Sequence, residues 1–198
     1  MNLIAHRRNT IEELVDTDAR YGVEVDIRSF GERLIINHEP FLAGESFEEW
    51  LKFYRHRTLI LNVKEEGLEP RLIELMALAG ISDYFFLDQS FPFLIKYTQL
   101  SGHRCAVRVS EYESIDTALS LKGKAEWVWV DCFSRFPLSF DDVNHLKEAG
   151  FKICAVSPEL QGRSPDLEIP ELAELLQRQN ISLDAVCTKR PDLWEKAK

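Results

Sequence analysis

Three observations predict an α/β fold of the (β/α)8, or TIM, barrel class. Eight short apolar runs alternate with segments of helical spacing, each run is near-continuously apolar, and no long reversal interrupts the alternation. At 198 residues and 45% hydrophobic content the chain can bury a sizeable core in one compact barrel domain spanning residues 1–198.

The first run, Leu3-Ile4-Ala5, ends at His6. Thr10 then stands three residues before Glu13, the capping-box spacing, and predicts a helix to about Arg20. From Gly22 to Arg28 the alternation is strict: Val23, Val25 and Ile27 point one way, and Glu24, Asp26 and Arg28 the other. Ser29-Phe30-Gly31-Glu32 reads as a hairpin turn into a second arm, Arg33 to His38. Ser46 to Tyr54 is a capped helix whose Phe47, Trp50, Leu51 and Tyr54 read as core.

Leu59 to Lys64 is the next strand, followed by a helix from Pro70 to Ala79, a strand from Tyr84 to Leu87 and a helix from Phe91 to Leu100. The pattern continues with strand Cys105–Val109, helix Ser114–Leu121, strand Trp127–Cys132, helix Ser139–Ala149 and strand Lys152–Val156. A helix from Leu167 to Gln179 and a strand from Ala185 to Thr188 complete it. The hairpin's first arm counts as a barrel strand, which brings the total to eight.

Polar residues gather late in these strands, where this class keeps its active sites: His6, Glu24, Asp26, Asn62, Lys64, Arg108 and Asp131. Carboxylates two apart on one strand face lie about 7 Å apart at the backbone, within reach of a single hard cation. Alternating acid and apolar residues also suit an exposed antiparallel strand. His6 and His38, each ending an apolar run beside the acid pair, favour chemistry.

These residues carry a family likeness. Ile4-Ala5-His6-Arg7, Asn9-Thr10, Gly22-Val23-Glu24-Val25-Asp26, Gly31 and Ile36-Asn37-His38-Glu39-Pro40 resemble the glycerophosphodiester phosphodiesterase family, part of the phosphatidylinositol phospholipase C-like superfamily. Leu61-Asn62-Val63-Lys64 is similar to its Glu-Ile-Lys strand, and Asp184 to Pro191 to its closing Thr-Asp-x-Pro strand. The resemblance implies a TIM barrel, here without the helical subdomain that many members insert after the histidine hairpin, and metal-assisted cleavage of a small phosphodiester, linked to lipid headgroups or surface polysaccharide. It makes His6 and His38 the general base and acid, Glu24, Asp26 and Asn62 the ligands of Mg²⁺ or Ca²⁺, and Arg7 and Lys64 contacts to the phosphate. Arg108, late in the fifth strand, is a further expected substrate-binding residue. The chain departs from the pattern where Asn62 replaces a ligating glutamate, Arg8 a glycine, and Glu39 an aspartate. Asn62 keeps open a second reading, a catalytically silent barrel that binds a phosphorylated ligand or a partner protein.

A net charge of −9 argues against a sequence-independent nucleic-acid binder and disfavours adhesion to anionic membranes. Cys105, Cys132, Cys154 and Cys187 form no Cys-x-x-Cys pair and read as small buried hydrophobes in a reducing compartment. With no apolar run of membrane-spanning length and only three apolar residues before the first charges, a cytoplasmic location without membrane insertion is expected.

Overall fold

The computed structural model describes residues 1–100 and 103–197. Along the chain run β1 (Asn2–Ala5), α1 (Ile11–Val15), β2 (Gly22–Phe30), β3 (Arg33–Ile36), β4 (Glu45–Ser46), α2 (Phe47–Leu51), β5 (Leu59–Val63), α3 (Glu69–Leu78), β6 (Tyr84–Leu87) and α4 (Phe91–Tyr97). They continue with β7 (Ala106–Val109), α5 (Ile115–Leu119), β8 (Trp127–Val130), α6 (Phe140–Glu148), β9 (Lys152–Val156), α7 (Pro165–Arg178), β10 (Ala185–Thr188) and α8 (Pro191–Lys196). Contacts divide the chain into two compact units, His6–Cys105 and Met1–Ala5 with Ala106–Lys198.

In the His6–Cys105 unit, β2, β5 and β6 are parallel, and the register sets Asp26 opposite Asn62 and Asn62 opposite Leu87. β3 folds back on β2 with Ile36 opposite Ile27, and β4 pairs antiparallel with β3. The turn is tighter than the sequence predicts: Ser29 and Phe30 pair with Leu34 and Arg33, so only Gly31 and Glu32 connect the arms. Gly31 supplies the positive φ of 64°. Between β3 and β5 stand only β4 and a five-residue helix, with no inserted subdomain. A helix that short does not hold itself. The Ser46 side chain caps it by accepting from the Glu49 N–H, and fully buried Phe47 and Trp50 pin it, each contributing about 1.5–3 kcal/mol.

In the other unit five parallel strands run in the order β1, β10, β9, β8, β7. Trp127, Trp129, Cys132, Cys154 and Cys187 are buried here, as Cys105 is in the first unit, and all act as core. Burial raises the Cys132 thiol to about 12, which keeps it uncharged. Along the chain β1, β5, β6, β7, β8, β9 and β10 are each followed by a helix, and β2 is followed by β3 and β4 before α2, which is the alternation of the (β/α)8 class.

Helix lengths differ from the sequence reading. α1 keeps its capping box but stops at Val15, because Thr17 Oγ1 donates back to the Glu13 carbonyl and the Asp18 carboxylate takes the Arg20 N–H. α7 starts at Pro165, earlier than Leu167, and carries Pro170 inside it. α8 was not anticipated; its buried Trp194 donates to Ser157 Oγ at 2.8 Å.

Candidate active site

The site is built on the end of β2. Both faces of this strand are covered: Val23, Val25 and Ile27 are fully buried, and so, to within 1%, are Glu24 and Asp26. This excludes the exposed-strand reading. Two neighbouring carboxylates out of water cannot both ionise cheaply. Burial, with the Asp26 charge second, raises Glu24 from 4.5 to about 7, while the hydrogen bonds from Asn62 and Arg7 pull it down.

Donors converge on these acids from two segments, residues 6–9 and residues 62–64. His6 directly follows β1 in the chain, and its Nε2 lies 3.8 Å from Glu24 Oε2. Arg7 adopts a left-handed φ of 52°, a conformation that costs a non-glycine residue about 1–3 kcal/mol. The turn brings its N–H to 2.8 Å from Glu24 Oε2 and its Nε to 3.4 Å from Asp26 Oδ2, so one residue addresses both acids. Asn9 brackets Asp26, donating to Oδ2 at 2.8 Å and accepting the Asp26 N–H at 3.1 Å. From β5, Asn62 Nδ2 donates to Glu24 Oε1 at 2.9 Å. Lys64, just beyond β5, sits between Asp26 Oδ1 at 3.3 Å and Asp88 Oδ2 at 3.0 Å.

His38 is anchored to the same end of β2 through its backbone. The neighbouring Asn37 N–H donates to the Asp26 carbonyl at 3.0 Å, and Arg28 Nε and Nη2 donate to the His38 carbonyl at 3.1 and 3.0 Å. The ring engages Glu39, Nδ1 lying 2.6 Å from Oε1, and makes no hydrogen bond to Glu24 or Asp26. That bond, with the charges of Arg7 and Arg28 in reach, lowers the Glu39 carboxyl below its usual range.

Carboxylate and amide oxygens are the donor types a hard divalent cation takes. Asn62 Oδ1 is buried and has no hydrogen-bond partner among the described residues, which leaves one amide oxygen unsatisfied by the protein. Among the described residues no group of three or more His, Cys, Asp and Glu is placed to hold a metal ion, so any such site would draw on the amide oxygen as well.

Of the residues expected from sequence, the structure brings together His6, Arg7, Glu24, Asp26, Asn62 and Lys64, with His38 tied to the same strand by its backbone. Arg108 lies in the other unit, paired with buried Asp131. Asn9, Arg28 and Asp88 were missed as site residues. Arg28 had a signal, since the alternation puts it on the face of Glu24 and Asp26. Asp88 has none beyond its place after an apolar run.

The fold is that of known proteins. A glycerophosphodiester phosphodiesterase from Agrobacterium tumefaciens superposes with a TM-score of 0.71 at 14% identity, covering 100% of this chain and 98% of that one. A Galdieria sulphuraria protein provisionally assigned as a glycerophosphodiester phosphodiesterase gives 0.72 at 15% identity, covering 99% and 97%. A mutant tryptophan synthase alpha-subunit from Pyrococcus furiosus gives 0.58 at 11% identity over 99% and 96%. No family profile matches the chain, and no curated protein matches it in sequence. The chain therefore has the (β/α)8 fold of these proteins, and the likeness read from its motifs meets the same family in structure.

Proposed function

We propose that the protein is a phosphodiester hydrolase of the glycerophosphodiester type, acting on a small phosphodiester. The observation that carries this reading is the convergence of His6, Arg7, Asn9, Asn62 and Lys64 on two buried carboxylates. The fold likeness to glycerophosphodiester phosphodiesterases supports it at the level of architecture, which by itself does not decide chemistry.

His6 removes the proton from the attacking hydroxyl, of water or of the substrate itself, and Glu24 stabilises the imidazolium that forms. His38, its ring oriented by Glu39, returns a proton to the leaving alkoxide. Arg7 and Lys64 bind the non-bridging phosphate oxygens, one as a fork and one as a point charge. Glu24, Asp26 and Asn62 would hold Mg²⁺ or Ca²⁺, which when bound offsets phosphate charge and acidifies the nucleophile. Arg108 keeps its expected substrate contact as a separate proposal, tested below. Four cysteines buried as apolar core residues support a cytoplasmic setting, and no helix among the described residues is long and apolar enough to cross a membrane.

The test is hydrolysis of bis(p-nitrophenyl) phosphate and of glycerophosphodiesters with Mg²⁺ or Ca²⁺, by the protein and by His6→Ala and His38→Ala. Each substitution should lower kcat on the order of a hundredfold to ten-thousandfold. Activity indifferent to both would remove the mechanism. The silent-barrel reading is favoured by Asn62 and by the ion pairs that already engage Lys64. Binding of phosphomonoesters by calorimetry without turnover on any diester would select it.

A further inference from the structure

The loop that leaves His38 ends in an apolar tip. Phe41 is 98% exposed and Leu42 56%, and no charge occurs from Pro40 to Gly44. The tip is held out by its base. Asn37 bridges the loop, accepting the Glu39 N–H at 3.0 Å and donating to the Ala43 carbonyl at 2.9 Å. At Gly44 a Cβ would lie 2.1 Å from the Ile36 carbonyl oxygen, so the chain passes there only as glycine and runs straight into β4. Phe41 itself takes a left-handed φ of 63°, an outlier for a bulky residue, and the strained conformation leaves the ring in solvent.

We infer that Phe41 and Leu42 form a wedge by which the protein docks transiently on an electrically neutral lipid surface beside its active site. A convex tip needs a partner that supplies the concavity, and a bilayer interface deforms around it where a single acyl chain does not. The net charge of −9 selects against anionic lipid. The purpose of the docking rests on the proposed function: the loop that carries the wedge starts at His38, whose carbonyl accepts from Arg28 and whose neighbour Asn37 donates to the Asp26 carbonyl, so the wedge is rooted beside the proposed phosphate site.

The test is sedimentation with sucrose-loaded phosphatidylcholine vesicles, comparing the protein with the double variant Phe41→Ser/Leu42→Ser. The protein should partition onto vesicles, and the variant on the order of tenfold or more weakly. Its hydrolysis of bis(p-nitrophenyl) phosphate in solution should be unchanged, and its far-ultraviolet circular dichroism the same. Failure of the protein to partition, or equal partition of the variant, overturns the inference. So does light scattering that shows a dimer lost in the variant, because the tip would then meet a second copy. Partition without hydrolysis by either protein leaves the wedge standing and removes the proposed function instead.

Discussion

Replacing Glu24 with glutamine should reshape the pH dependence of stability in the chelated, metal-free protein. A carboxyl moved by burial from 4.5 to about 7 corresponds to about 3 kcal/mol between its two protonation states. Below about pH 4.5 Glu24 is protonated whether the chain is folded or unfolded and contributes no pH dependence. Between about pH 4.5 and 7 the folded protein retains a proton that the unfolded chain releases, so stability falls as pH rises, and above about 7 the whole penalty is in force. Glutamine cannot ionise and escapes that penalty. It keeps an acceptor for the Arg7 N–H but presents an amide NH₂ to Asn62 Nδ2, which costs about 1 kcal/mol. The variant should therefore be about 1 kcal/mol less stable near pH 4 and about 2 kcal/mol more stable near pH 8. Urea denaturation of both proteins across that range isolates the effect of Glu24 with its coupled neighbour Asp26, because titrating groups that do not interact with Glu24 cancel in the difference. Parallel curves would refute the account of Glu24.

Asn62→Glu, which turns the amide donor into a third carboxylate, should tighten Mg²⁺ or Ca²⁺ binding by tenfold or more in calorimetry, on the order of a full additional ligand charge; unchanged affinity would mean that position 62 does not face the cation. Arg108→Gln should cost about 2 kcal/mol in thermal or urea unfolding, because buried Asp131 loses its guanidinium and keeps Gln161 at 3.2 Å. If Arg108 also contacts substrate, KM rises as well; a stability loss with unchanged KM assigns it to structure alone.

The backbone alternation and the chemistry at strand ends were legible in the sequence because they depend on local periodicity. The period of two in β2 placed Glu24 and Asp26 on one face, and the capping residues Thr10, Ser46 and Ser139 each start a helix as read. Three of the eight barrel strands, β6, β9 and β10, have the bounds the sequence predicts. Helix ends were less legible because short polar side chains compete with the backbone there, as Thr17 and Asp18 do after α1. What the sequence could not supply is who meets whom across strands. Asn9 bonding Asp26 twice, and Lys64 shared between Asp26 and Asp88, follow from register and from a left-handed turn at Arg7. Neither leaves a local signature.

Phosphorus NMR of glycerophosphocholine incubated with the protein and Mg²⁺ or Ca²⁺, alongside His6→Ala, addresses the central claim most directly. A centre made of His6 and the β2 carboxylates should convert the diester resonance to that of a phosphomonoester or cyclic phosphate, and His6→Ala should leave it almost intact. A diester resonance that persists with the unaltered protein, or disappears equally fast with the variant, would contradict it.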